Sequence, residues 1–206
     1  VVYPFIGDGG TSEGDFSEAL NFAGVWKVPV VFTIQNNQYA ISVPVRNQTN
    51  SVNMAVKALA FGMPGIKVDG NDFFAMYVAY KEASEYARAG NGPVLIEAYT
   101  YRKGAHTTSD DPSKYRTKEE EQEWDKADPL KRLRKYMELK GIALEDDAQL
   151  IAAYKPLVEQ QFAEAENFKP YALEDVFRHM YVDMPEDLKQ QKADYEQFLS
   201  WKEKRK

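Results

Sequence analysis

Cysteine is absent from these 206 residues and histidine occurs twice. Without cysteine there are no disulfides, thiolate metal sites or cysteine nucleophiles, and a catalytic imidazole has to be His106 or His179. No apolar stretch approaches the roughly 18 residues that cross a bilayer, and no basic segment followed by an apolar one opens the chain. Basic charge is in deficit: 26 Lys and Arg against 32 Asp and Glu leave a net −6 and a pI of about 5.1. That balance disfavours a nucleic-acid backbone as partner. The expectation is therefore no membrane, no nucleic acid and a reducing compartment: the cytoplasm, or the mitochondrial matrix were the source eukaryotic.

What is present is ordinary globular composition, 44% hydrophobic and 28% charged, enough for one substantial core with extensions. Val1 to Ile6 reads as a strand already under way, with Pro4 shortening it or making its start irregular. An upstream half is expected to be missing. Ser12 reads as a helix cap with Asp15 as its capping-box partner, and Phe16, Ala19, Leu20 and Ala23 repeat at helical spacing before Gly24 stops the helix. Val28 to Gln35 is a second strand. A helix near Val52 to Phe61, a strand Gly65 to Val68, a helix opening at Asp72 with Phe73, Met76, Tyr77 and Tyr80 on one face, and a strand Pro93 to Tyr101 continue the alternation. That order predicts an α/β fold with a mostly parallel sheet covered by helices on both faces. Residues 102–117 read as an exposed loop, and the charged segments beyond it as a helical C-terminal region, 118–206.

Two clusters carry the chemistry. Gly7-Asp8-Gly9 ends the first strand and Asn36-Asn37 ends the second, one helical crossover later, so a parallel sheet brings both to its carboxyl edge, where ligands bind. Asp8, the side-chain oxygen of Asn37 and a backbone carbonyl just beyond would supply part of a magnesium octahedron that diphosphate oxygens and water complete. The amides of Gly9 and Gly10 would donate to the same phosphates, an anion seat without a lysine. Either cluster alone is equally a turn or a strand stop. A dinucleotide fingerprint fails, because Ser12 stands where the third glycine belongs and an unmetallated pyrophosphate would be repelled by Asp8.

The stretch GDGGTSEGDFSEALNFAGVWKVPVVFTIQNNQYAIS, with the later YRKGAHTTSDDPSKYRTKEE, resembles alpha subunits of thiamine diphosphate-dependent 2-oxoacid dehydrogenase first components, over their C-terminal half. The resemblance implies the thiamine diphosphate-binding fold, with 1–117 as its diphosphate-binding domain. It implies thiamine diphosphate and Mg2+ as cofactors, with Asp8, Asn37 and the Tyr39 carbonyl on the metal. It implies that His106, in the active-site loop, borders the cofactor and helps pass the acyl group to the lipoyl carrier. An imidazole, titrating near neutrality, suits that role. His179 reads instead as a structural or surface histidine.

The partners implied are a beta subunit, in an alpha2-beta2 heterotetramer, and the lipoyl domain of the acyltransferase component. The reaction implied is oxidative decarboxylation of a 2-oxoacid, pyruvate first and branched-chain 2-oxoacids second, with an acetoin dehydrogenase as the third alternative. The alternative from another class is a non-catalytic interaction module. The pattern departs from mitochondrial relatives at Thr107, where a phosphorylated serine stands, and at Lys114, where a second serine often does, so control by that kinase is not expected.

Overall fold

A computed structural model describes residues 1–205. The chain forms two compact units, the first Val1–Leu144 and the second from Glu145 onward. Strand β1 is Phe5–Gly7, preceded by an isolated bridge from Val2 to Val30, so Pro4 does interrupt the strand's start. A 3₁₀ turn, Gly9–Ser12, and helix α1, Gly14–Trp26, lead to β2, Val31–Asn36. A short hairpin of β3, Tyr39–Ala40, and β4, Val43–Pro44, follows. A 3₁₀ segment, Ala55–Phe61, precedes β5, Gly65–Asp69, then α2, Phe73–Arg88, and β6, Val94–Tyr99. The four long strands form one parallel sheet in the order β1-β2-β6-β5.

The predicted sheet and its two covered faces are present. Alternation along β2 and β6 sends Ile34 and Leu95 to one face, where Phe16 and Leu20 of α1, Met54, and Ala58 of the 3₁₀ segment close over them. Val31, Val94 and Ile96 point the other way, onto Ala79, Ala83 and Ala87 of α2. Each fully buried aliphatic side chain contributes about 1.5–3 kcal/mol, an upper figure because the unfolded chain is itself partly compact.

Three local expectations are corrected. Ser12 does not cap α1: it ends the 3₁₀ turn, and the helix starts from Glu13 without a side-chain cap. Gly24 does not stop α1 but lies inside it, because a Cβ there would stand 2.5 Å from the Phe61 carbonyl oxygen; the helix ends at Lys27, whose φ is 50°. The buried face of α2 is its alanine row with Met76 and Tyr80, leaving Phe73 and Tyr77 exposed. Small residues let α2 approach the sheet closely, and the larger rings have no room there.

After residue 117 two helices complete the first unit, α3, Lys118–Lys126, capped by Thr117, and α4, Pro129–Leu139, capped by Asp128. Trp124 of α3 stacks on Tyr101, and Arg132 of α4 pairs with Asp69 and Asp72. The second unit holds α5, Asp147–Glu166, α6, Leu173–Phe177, and α7, Glu186–Glu203, with a Lys192–Glu174 ion pair joining α7 to α6.

Candidate functional site

In the β1/β2 register Gly7 lies opposite Gln35, so Asp8 and Asn36 leave the sheet side by side at its carboxyl edge. Asp8 is 1% exposed. Its Oδ2 accepts from Gln48 Nε2 at 3.0 Å, and the same Nε2 donates to the Val43 carbonyl at 3.1 Å, tying Asp8 to the β3–β4 hairpin. Gly9 fits only because it lacks a side chain: a Cβ would meet Ala40 Cβ at 2.5 Å. The Asp8 carbonyl accepts from Thr11 Oγ1 at 2.7 Å, and Lys57 Nζ donates to Thr11 O and Oγ1 at 2.7 and 2.8 Å. The glycine turn therefore has a lysine behind it, bonded to Thr11. Burial lowers the Lys57 ammonium below its ordinary pKa.

The Asn36–Ile41 segment is the second part. Tyr39 N donates to Asn37 Oδ1 at 3.2 Å, and Gln38 N donates to Asn36 Oδ1 at 3.2 Å. Gln38 and Ile41 adopt left-handed backbone, φ 77° and 55°, so Tyr39 sits between two strained residues. Tyr39 is buried, and its hydroxyl donates to both Glu120 oxygens at 2.9 and 3.0 Å. Burial first, and the Glu120 carboxylate second, raise the pKa of that phenol. The Tyr39 carbonyl accepts from Arg102 Nη1 at 3.1 Å, and Ile41 O from Arg102 Nη2 at 2.6 Å.

The third part is the 102–117 loop. Arg116, with a side chain 1% exposed, donates to the carbonyls of Arg102, Lys103 and Gly104 and pairs through Nε with Glu121 at 2.8 Å. Its far end is gathered on Asp110 Oδ2, which accepts from His106 N at 2.8 Å and Tyr115 Oη at 2.6 Å. These bonds hold the Asp110 carboxyl below its usual range, the His106 amide contributing most. His106 is exposed, its Nδ1 3.4 Å from the same Arg102 Nη1 that caps Tyr39 O. His179 lies in the second unit and is exposed.

One guanidinium thus joins the proposed ligand Tyr39 to the predicted loop histidine. Arg102, Lys57, Arg116 and Glu97 are the residues the sequence reading missed. For Glu97 a signal existed: a lone acid inside the apolar run Val94–Ala98 of a strand buried on both faces.

Chemically, Asp8 is decisive. A carboxylate removed from water is offset by a cation or by several N–H donors; among the described residues no Lys or Arg pairs with Asp8, and its one side-chain partner is a neutral amide. Asn37 Oδ1 and the Tyr39 carbonyl each keep a second lone pair. No cluster of three or more His, Cys, Asp or Glu forms among the described residues. A divalent ion here would therefore meet one carboxylate plus amide and backbone oxygens, a set suited to a hard ion whose remaining ligands come from a bound phosphate and water. Arg102 Nε, buried without a hydrogen-bond partner, adds an unsatisfied donor on a permanent cation. A cleft of ≈ 460 Å³ beside Tyr39, lined also by Arg46, Asn50, Glu120 and Trp124, does not include Asp8, Asn37 or His106.

The chain is 51% identical over 197 residues to the pyruvate dehydrogenase E1 component subunit alpha of Acholeplasma laidlawii, covering 94% of this chain and 57% of that protein. The protein of the same name from Staphylococcus aureus is 47% identical over 199 residues, 96% of this chain and 54% of its own length, and that from Staphylococcus epidermidis is 45% identical. The chain spans about half the length of the curated relatives it matches. The family described as "Dehydrogenase E1 component" matches residues 1–174, and the chain belongs to that family.

Proposed function

We propose that this chain supplies the metal- and diphosphate-holding part of a thiamine diphosphate-dependent pyruvate dehydrogenase alpha subunit. The reaction would convert a 2-oxoacid and an oxidised lipoyl group to CO2 and the acylated, reduced lipoyl group. The observation that carries the reading is the buried Asp8 carboxylate without a cationic side chain, beside the Asn37–Tyr39 turn. Asp8, Asn37 Oδ1 and the Tyr39 carbonyl would hold Mg2+, and Gly9 and Gly10 would offer amides to the diphosphate. When bound, the thiazolium of thiamine diphosphate supplies the electron sink for decarboxylation.

The chain's own residues do the rest. Arg102 brings permanent positive charge to the turn that would face the diphosphate, and Lys57 adds charge behind the glycine turn. His106, presented on an exposed loop and held by Asp110, would move a proton at its imidazole as substrate and the lipoyl arm enter and leave. A beta subunit is the partner this reading requires, in an alpha2-beta2 assembly with a lipoyl acyltransferase as acceptor, working in the cytoplasm.

The test is Mg2+-dependent binding of thiamine diphosphate by the assembled alpha and beta subunits. Asp8→Ala is expected to abolish it; unchanged affinity removes the ligand assignment. The ratio of decarboxylation rates on pyruvate and 3-methyl-2-oxobutanoate then decides the substrate, a ratio favouring the latter moving the protein to the branched-chain class. No turnover of any 2-oxoacid by an assembly that binds cofactor would support an interaction module instead.

A further inference from the structure

We infer that Glu97 is a positioning residue for the metal-holding turn, acting through Asn36; this rests on the reading of Asp8, Asn37 and Tyr39 as the cation's ligands. Glu97 is 0% exposed in β6, in register with Ile34 of β2 and on the face that carries Leu95. An acid there is costly, and the apolar packing around it would be served as well by a hydrophobic side chain. Among the described residues no Lys or Arg offsets it. Three N–H donors do: Asn36 Nδ2 at 2.7 Å on Oε1, and the backbone amides of Met54 and Ala55 at 2.8 and 3.0 Å on Oε2.

The donors fix every orientation. Backbone amides only donate, so Glu97 Oε2 accepts. Gln38 N–H likewise donates to Asn36 Oδ1, which leaves the Asn36 Nδ2 protons for Glu97. Hydrogen bonds therefore run one way, from Gln38 through Asn36 into Glu97. That line sets Gln38 in its left-handed conformation, between Asn37 and Tyr39, whose oxygens are the proposed ligands. Through Met54 and Ala55 the same carboxylate seats the start of the 3₁₀ segment that carries Lys57. Glu97 touches no ligand of the ion itself; it sets where two of them stand.

An exchange of groups tests this in the assembled alpha and beta subunits, with Kd for thiamine diphosphate at saturating Mg2+ and the ligand-free unfolding midpoint both measured. Glu97→Gln turns an amide N–H2 against the Asn36 amide and should weaken binding about ten- to hundredfold, the usual effect of losing a residue that orients a metal ligand. In the double variant Glu97→Gln with Asn36→Asp, the new amide keeps its oxygen on Met54 and Ala55. Its N–H2 then meets the new carboxylate at position 36, whose other oxygen accepts Gln38 N–H. Every bond is restored with one direction reversed, and Kd should return to within about threefold of the parent.

A parental Kd for Glu97→Gln, whatever its unfolding midpoint, overturns the inference. So does a double variant that binds as weakly as Glu97→Gln. If Glu97→Gln fails to assemble, the double variant decides: near-parental Kd upholds the role, and weak binding or failed assembly removes it. Asp8→Ala, run alongside, separates the two levels. Loss of binding there with normal binding in Glu97→Gln sinks only the positioning role, whereas normal binding in Asp8→Ala sinks the ligand reading beneath it.

Discussion

The segments on either side of the Tyr39 carbonyl are built by different means. Asp8 and the Asn36–Ile41 turn are extensions of parallel strands, and Asp8, Asn36 and Tyr39 are buried. The His106 loop leaves the sheet after β6, exposes residues 103–109, and is shaped by side chains: Arg116 on three successive carbonyls, Asp110 on one amide and one phenol. A cation seat profits from rigid backbone, whereas a group that must admit a substrate and a carrier profits from a loop whose order rests on a few charge-assisted bonds. Arg116→Met breaks the comparison most directly. Three carbonyls lose a charged donor, and local stability of residues 102–110 should fall by about 3 kcal/mol. Amide exchange is the measurement: protection is lost in the loop and kept in β2, and equal losses in both would show that the two regions are one cooperative piece.

The glycines sharpen the same contrast. Gly9→Ala drives a Cβ to 2.5 Å from Ala40 Cβ, and Gly104→Ala meets nothing within 4 Å. The first should cost about 1–3 kcal/mol in the denaturant midpoint by overpacking, the second less than about 0.5 kcal/mol.

The same division explains what was legible in the sequence. Gly-Asp-Gly and Asn-Asn were readable because a strand's end and a parallel crossover are local patterns, and the sheet then brings them together without further information. The cap at Ser12 was misread because a 3₁₀ turn takes that residue before the helix starts, and the stop at Gly24 because tertiary contact decided it, Gly24 being required by Phe61 rather than by the helix's end. Lys57, Arg102 and Arg116 were invisible because a lone basic residue in a polar segment is usually solvated. Their roles arise from carbonyls that other parts of the chain deliver, Lys57 reaching Thr11 from 46 positions away. Burial of Glu97 was readable in principle, but its partners were not.

Strain gives a smaller test. Ile41 holds φ 55° with a β-branched side chain and little burial to enforce it. Left-handed backbone costs a non-glycine residue about 1–2 kcal/mol, and glycine gives back about 0.5–1 kcal/mol in unfolded-state entropy. Ile41→Gly should therefore stabilise the chain by about 0.5–1 kcal/mol, raising Tm by roughly 2 °C. A lower Tm would mean that the Arg102 bond to Ile41 O depends on the side chain it leaves behind.

The finest distinction is in pH dependence. Asp110 is a half-buried carboxylate whose pKa is held below the ordinary 3.8, first by the His106 amide and then by the Tyr115 hydroxyl. A group with a depressed folded-state pKa stabilises the fold above its unfolded value and loses that contribution as pH falls through the folded one. Protection of the His106 amide, corrected for intrinsic exchange, should stay level from neutrality down to about pH 4 and fall only below it. Amides of β2, hydrogen-bonded to neighbouring strands and to no carboxylate in the loop, should show no step there. Asp110→Asn should lower the loop's protection at neutral pH and remove the acid step. A step retained in that variant would assign the loop's acid sensitivity to a different carboxylate, Asp111 first, since its own pKa is lowered by the Ser113 hydroxyl within the same turn.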